Sequence, residues 1–85
     1  MKLIMVYREK SEHRLAVENF LREFKIRTGR EIETLNPDTR EGQSFIQLYD
    51  IVEYPTLIAL GPNGTERTKW RITLPTISEA SAYNK

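Results

Sequence analysis

The sequence IVEYPTLIAL, residues 51–60, places a proline in front of an apolar run, and the turn-forming residues GPNG follow at positions 61–64. Proline has no N–H to donate, so it is tolerated at the first residue of a strand and disfavoured inside a central one. The run at residues 57–60 is short and uniformly apolar, which is typical of a strand buried on both faces. Asn63-Gly64 favours a tight hairpin because both residues accept positive φ angles, so the returning strand is predicted at residues 65–72.

The chain ahead of this segment predicts a strand, a long helix and a weaker strand. Residues 2–7 are almost continuously apolar, which is typical of a central strand. The helix is predicted to begin with Ser11 as its N-cap and to end near Arg27. Its apolar stripe, at helical spacing, consists of Val17, Phe20, Leu21 and Phe24. Residues 31–36 alternate between polar and apolar side chains and predict the second strand, which Pro37 ends.

A second, shorter helix is predicted from the pattern Asp38-Thr39-Arg40-Glu41, with Asp38 as the N-cap and an end near Tyr49. Alternation along the last strand predicts a core face, Thr68, Trp70 and Ile72, and a charged face, Arg67, Lys69 and Arg71. The tail, residues 75–85, holds a short helix at most. The order β-α-β-α-β-β-α indicates an α/β fold in one domain, residues 1–85, with a mixed four-stranded sheet and helices on both faces.

Composition excludes several classes of function. The chain has 85 residues, a net charge of +1, one histidine and no cysteine. Without cysteine there is no disulfide, thiolate nucleophile or Cys-ligated metal, and one histidine is too few for the usual transition-metal sites, so no cofactor and no metal are predicted. The small net charge argues against nucleic acid or a membrane surface as partner. The absence of a bilayer-length apolar run and of a signal-peptide pattern favours a cytoplasmic protein.

Four segments, in this order and spacing, resemble the thioredoxin family. Leu48-Tyr49-Asp50-Ile51 followed by Tyr54-Pro55-Thr56-Leu57 is similar to the family's helix exit and cis-proline loop. Asn63-Gly64-Thr65-Glu66 is similar to its next hairpin. Leu35-Asn36-Pro37-Asp38 stands where the family has a strand that ends in an acidic residue. The resemblance implies a thioredoxin-like fold with Pro55 in cis, without the extra N-terminal strand and helix of full-length thioredoxins.

The family's redox motif, Cys-x-x-Cys, lies at the N-terminus of the first helix and faces the cis-proline loop. Matching the apolar stripe to that helix puts Ser11-Glu12-His13-Arg14 in its place, or Glu12-His13-Arg14-Leu15 with a slip of one residue. Both thiols are absent in either alignment, and a serine hydroxyl is too weak an acid for the helix dipole to activate comparably. Dithiol oxidoreductase activity is therefore excluded, and the chain is predicted not to be an enzyme.

The resemblance makes the cis-proline loop the leading candidate for a binding site. In relatives, the backbone of the residue before this proline pairs with an extended peptide, and the matching position here is Tyr54, next to Pro55. Tyrosine is also enriched at binding hot spots. Ser11, His13 and Arg14, at the helix N-terminus, complete the predicted binding residues.

Structural roles compete with binding at each of these positions. Pro55 would only shape the loop, and Tyr54 would pack against the first helix. Ser11 would act only as the N-cap, and His13 would be either a solvated side chain or a pH-sensitive contact at a binding surface. The charged row on the last strand would protect a sheet edge from aggregation.

The first hypothesis is a cysteine-free, redox-inactive thioredoxin-like domain that binds a protein or peptide partner. One alternative is a glutathione-binding, thiol-independent enzyme that uses Ser11 and the helix dipole. Another is a clock-protein-like member of the fold (the KaiB family), which is also cysteine-free and works through subunit or partner contacts. The sequence predicts no particular oligomeric state.

Overall fold

The computed structural model describes residues 2–83, and within them the elements follow the predicted order. The strands are β1 (Lys2–Val6), β2 (Glu33–Leu35), β3 (Thr56–Leu60) and β4 (Glu66–Arg71). The helices are α1 (Arg14–Thr28), α2 (Arg40–Leu48) and α3 (Ile77–Ser81). The short helix predicted in the tail is thus present as α3, and residues 84 and 85 of that tail lie outside the described residues.

The sheet is mixed, with the strand order β2-β1-β3-β4. β1 pairs in parallel with β2 and antiparallel with β3, and β3 pairs antiparallel with β4. All five residues of β3 are buried, as its uniformly apolar run predicts for a central strand. β2 is shorter than predicted because it lies at the edge and pairs only with the last three residues of β1. The predicted α/β fold class is confirmed.

The core lies on both faces of the sheet, because successive strand residues point to opposite sides. One cluster, under α1 and α3, contains Leu3, Met5, Leu57, Ala59, Val17, Phe24 and Ala80. The other, under α2, contains Ile4, Val6, Ile51, Ile58, Leu60, Phe45 and Ile46. The predicted stripe of α1 is confirmed, since Val17 and Phe24 are fully buried and Phe20 and Leu21 pack against the first cluster.

Both predicted helix starts are wrong in their N-cap residue. α1 begins after His13, and Ser11 instead donates its hydroxyl to the carbonyl of Arg8 at 2.5 Å. α2 is capped by Thr39, whose hydroxyl accepts a hydrogen bond from the Gly42 N–H at 3.0 Å. Asp38 is not the cap because its carboxylate forms an ion pair with Arg8.

Two side chains of the last strand differ from the prediction, one in its position and the other in its exposure. Ile72, predicted on the core face, lies beyond the end of β4 and is 56% exposed, with a φ of 65°. Lys69, predicted on a charged outer face, is only 16% exposed because this face of the sheet lies under α2. Its ammonium donates to the carbonyl of Tyr49, the C-cap of α2, at 3.0 Å. Trp70 packs against the core as predicted, and its ring meets that of Tyr83 edge-on at 5.5 Å.

The hairpin between β3 and β4 uses one left-handed residue rather than two. Gly64 has a φ of 76°, whereas Asn63 is outside the positive-φ region. The Gly64 N–H donates to the Gly61 carbonyl at 3.0 Å, and the Gly61 N–H donates to Thr65 at 2.8 Å. Only Gly64 therefore adopts the positive φ angle that the Asn-Gly pair predicts for both residues.

Candidate functional site

The loop between α2 and β3 contains a cis peptide bond between Tyr54 and Pro55. Pro55 is buried, and its carbonyl accepts a hydrogen bond from the Ile72 N–H at 2.8 Å. The hydroxyl of Thr56 donates to the carbonyl of Glu53 at 2.6 Å. The first bond joins the loop to the residue after β4, and the second closes the turn within the loop. Together they fix the shape of the loop and its position at the end of the sheet.

Tyr54 lies at the surface end of this loop and is half-buried. Its ring packs at the margin of the cluster under α2, which contains Ile51 and Ile58. The guanidinium carbon of Arg8 lies 4.7 Å from the centre of the ring, within the range of a cation–π contact. The expectation that Tyr54 would pack against the first helix is therefore wrong. Within residues 2–83, the N–H and the carbonyl of Tyr54 form no hydrogen bond.

The segment before α1, residues 8–13, folds back on the main chain of Arg8. The Arg8 N–H donates to Nε2 of His13 at 3.3 Å, and the Arg8 carbonyl accepts the hydroxyl of Ser11. The Arg14 N–H, at the first residue of α1, donates to the Ser11 carbonyl at 3.4 Å. The ring of His13 meets that of Tyr7 edge-on at 6.5 Å. His13 is the N-cap of α1 by position, but the side chains of Ser11 and His13 bond the loop and not the N–H groups of the helix.

Arg8 connects the two halves of the predicted site. Its Nε lies 3.1 Å and 3.3 Å from the two carboxylate oxygens of Asp38. The same guanidinium covers the Tyr54 ring, and the main chain of Arg8 is held by His13. Arg8 therefore joins the carboxyl ends of β1 and β2 to the cis-proline loop.

The sequence prediction did not include Arg8 or Asp38 among the site residues. A signal for the pair was present, because Arg8 follows the first predicted strand and Asp38 follows the second. Neighbouring parallel strands end at the same edge of a sheet, which brings such residues together. The charge pair could have been found from the predicted topology, but the stacking on Tyr54 could not.

The titration of two groups near Arg8 is shifted by their surroundings. The pKa of His13 is lowered, first by burial and then by the positive charge of Arg8. The pKa of Tyr7 is raised, first by burial and then by the negative charges of Glu18 and Glu9. Both shifts favour the neutral side chain, which is the form of His13 that accepts a hydrogen bond at Nε2.

The structure brings the five predicted binding residues to the same region, but the side chain of Arg14 does not reach Arg8 or the cis-proline loop in any described contact. Tyr54 and Pro55 form the loop, and Ser11 and His13 reach it through Arg8. Arg14 instead pairs with Glu18 along α1 at 3.9 Å.

The surface beside Arg8 has mixed charge and the described chain holds no metal-binding cluster. A groove of about 270 Å³ is lined by Arg8, Glu9, Lys10, Asn36 and Asp38. Among residues 2–83, no three His, Asp or Glu side chains are grouped so that they would bind a metal ion. No helix in that range is long and apolar enough to cross a membrane.

Comparison with known proteins identifies the fold through structure and not through sequence. No protein-family model matches the chain, and no curated protein shows significant similarity to it. Among solved structures, the chain is similar to thioredoxin 1 from the thermophilic eubacterium Thermosipho africanus TCF52B, with a TM-score of 0.70 and 19% identity. The match covers 99% of this chain and 90% of that thioredoxin. The protein therefore has a thioredoxin-like fold, and it has no cysteine.

Proposed function

We propose that this thioredoxin-like chain is a redox-inactive domain that binds an extended protein or peptide segment at the loop of Tyr54 and Pro55. The chain has no cysteine, so it has no thiol of its own for disulfide exchange. The loop of Tyr54 and Pro55 is still present at the end of the sheet. Binding at that loop needs backbone and aromatic contacts, and it needs no sulfur.

The observation that carries this proposal is the unsatisfied backbone of Tyr54. Neither its N–H nor its carbonyl has a hydrogen-bond partner within residues 2–83. An extended peptide would supply both partners in the way that an added strand does. Tyr54 is half-buried at the surface. Because backbone polar groups in proteins are paired with protein or with water, we expect water at both groups in the free protein and a peptide backbone in its place in the complex.

Exposed apolar side chains flank the loop and favour a peptide over a small polar ligand. Val52, two residues before Tyr54, is 71% exposed, and Ile72, bound to the Pro55 carbonyl, is 56% exposed. Together with the Tyr54 ring they offer exposed apolar contact close to the loop. Alternating side chains of an extended peptide would contact them.

The charges near α1 give little support to the glutathione-binding alternative. Arg8 is paired with Asp38, and Arg14 is paired with Glu18. Glu9 stands beside Lys10 in the same loop. The cations of this region are thus matched by carboxylates, and a small anion would have to displace them.

The test is selection of a display library of random peptides on the wild-type domain, followed by titration of the enriched peptides. We expect Tyr54→Ala to weaken their binding at least about tenfold, because a buried aromatic anchor contributes on this scale. Tyr54→Phe keeps the ring and serves as the matched control, with affinity near that of the wild type. The melting temperature of Tyr54→Ala should change by only a few degrees, since the ring lies at the margin of its cluster.

Amide NMR identifies the backbone contact directly. In the complex, the Tyr54 N–H should shift downfield and exchange more slowly with solvent, whereas the exposed Leu48 on α2 should be unaffected. Enriched peptides that bind Tyr54→Ala as tightly as the wild type would contradict the proposal. Selection that enriches no peptide above background would do the same.

A further inference from the structure

We infer that His13 is a pH-sensitive latch that keeps the Arg8 guanidinium on the face of the Tyr54 ring. In this arrangement neutral His13 accepts the Arg8 N–H, and protonated His13 releases it. The inference deepens the proposed function, because it rests on Tyr54 as the docking residue and describes how access to its ring is controlled.

His13 restrains the Arg8 main chain through a hydrogen bond. Nε2 of His13 lies 3.3 Å from the Arg8 nitrogen, which is its hydrogen-bond donor. A ring nitrogen accepts a hydrogen bond only when it carries no proton, so this contact requires the neutral ring with its proton on Nδ1. Protonation would place an N–H against an N–H at this point, and the bond would be lost.

The positive charge of a protonated His13 would also favour release of Arg8. The described groups that bear on His13 are the Tyr7 ring from the end of β1 and the Arg8 guanidinium from the loop. Its neighbours in the chain, Glu12 and Arg14, carry opposite charges. Asp38, at the end of β2, reaches this region through its ion pair with Arg8. A positive His13 would therefore repel the guanidinium that the neutral ring helps to hold.

The Arg8 guanidinium blocks one face of the Tyr54 ring, so a partner cannot contact that face. The guanidinium carbon lies 4.7 Å from the ring centre, so one face of the aromatic ring is already occupied. The contact with Asp38 is exposed, with side chains 44% and 58% accessible, and such surface pairs hold weakly. Loss of the His13 bond would leave the Ser11 hydroxyl as the remaining bond of this segment to the Arg8 main chain. The Arg8 side chain would then be less restrained and would leave the ring more often, so acid would uncover that face.

The lowered pKa of His13 agrees with this geometry. Burial and the Arg8 charge both favour the neutral ring. The latch is then closed at neutral pH and opens on acidification, below the ordinary histidine value of about 6.5. His13 is the only histidine of the chain, so a transition in this range has one source among the side chains.

The experiment is an NMR titration of the free protein from about pH 8 to about pH 5, above the ordinary carboxylate range. Cross-relaxation between the Arg8 side chain and the Tyr54 ring reports the closed latch. In the wild type, we expect this signal to disappear with the same midpoint as the His13 ring resonances. The signal between the rings of Trp70 and Tyr83, on the other side of the sheet, is the internal control and should persist.

Two variants test whether the His13 hydrogen bond holds the Arg8 side chain on the Tyr54 ring. His13→Gln keeps an acceptor that does not titrate, so the Arg8–Tyr54 signal should persist across the whole range. His13→Ala removes the acceptor, so the signal should be weak even at neutral pH. A wild-type signal that survives below the His13 midpoint, or one that is lost equally in His13→Gln, would overturn the inference. The titration uses no peptide, so a failure of Tyr54 to bind peptides would leave its outcome unchanged.

Discussion

Polar residues stand at the starts of both α1 and α2, but the two helices use them differently. At the start of α2, Thr39 accepts the Gly42 N–H, and Gln43 donates its side-chain amide to the Pro37 carbonyl at 2.6 Å. At the start of α1, His13 makes no side-chain cap bond and instead accepts from Arg8. The polar groups of α2 therefore stabilise the helix, whereas those of α1 position a surface loop.

The two helix starts should therefore tolerate substitution to different degrees. Side chains that accept hydrogen bonds from the free N–H groups at a helix start contribute directly to the stability of the fold. A start whose side chains face a neighbouring loop contributes less to stability and more to the shape of the surface. Substitutions at α2 should therefore mainly lower the free energy of unfolding, and those at α1 should mainly change the region around Tyr54.

The largest expected effect is at Gly42, in the first turn of α2. A β-carbon there would overlap the carbonyl oxygen of Asn36 and approach Cα of Pro37 to 2.8 Å. Both neighbours are backbone atoms and cannot move aside, so Gly42→Ala should cost about 1–3 kcal/mol of unfolding free energy. In an open helical site the same change would gain about 1 kcal/mol. Urea denaturation monitored by circular dichroism measures the difference.

Ser44→Ala is the matched control for this prediction, because Ser44 is exposed in the same helix. Its unfolding free energy should stay within about 0.5 kcal/mol of the wild type. A stability of Gly42→Ala equal to or above that of the wild type would show that the loop at Asn36 and Pro37 yields, and the contrast between the two helix starts would lose its main support.

The next effect is the loss of the α2 cap. Thr39→Ala removes the acceptor of the Gly42 N–H and should cost about 1 kcal/mol, whereas Thr39→Ser keeps the hydroxyl and should cost little. Ser11→Ala, before α1, should cost less than about 0.5 kcal/mol because its exposed hydroxyl bonds only the Arg8 carbonyl. Equal losses for Thr39→Ala and Ser11→Ala, in the same denaturation experiment, would contradict the comparison.

The smallest effect is the dependence of stability on pH through His13. Its pKa is lowered in the folded state by burial and by Arg8, so the unfolded chain binds a proton more readily. This contribution to stability is fully present above the unfolded value of about 6.5 and is lost as pH falls through the folded value. Denaturation midpoints measured across this range should fall with acid in the wild type more than in His13→Gln. A parallel fall in both proteins would assign the effect to other groups.

The fold followed from the sequence to a large extent because the strongest signals were apolar and local. The uniform run in β3 and the stripe of α1 on Val17 and Phe24 predicted elements that the structure confirms. Burial of such side chains dominates folding, so a period of two or of 3.6 residues predicts an element well. Strand ends have weaker signals, and Ile72, predicted within the last strand, lies beyond the end of β4.

The candidate site followed less well because it depends on polar contacts between distant residues. Tyr54 and Pro55 came from a family resemblance, whereas Arg8 and Asp38, thirty residues apart, were not included. The N-caps assigned to Ser11 and Asp38 were wrong because both side chains serve Arg8 instead. Local propensity ranks these residues as good caps, and it contains no information about a cation from a neighbouring strand.

Apolar periodicity and residue type were enough to predict the order of the elements, the buried strand after Pro55 and the lack of a thiol in this chain, since neither requires knowledge of distant neighbours. The position of Arg8 between Tyr54, Asp38 and His13, and the contact of Lys69 with the end of α2, could be found only in the folded chain. Each of these polar contacts contributes about 1 kcal/mol or less, so none can direct the packing of the chain. They form where the packed sheet and helices happen to bring their partners within reach.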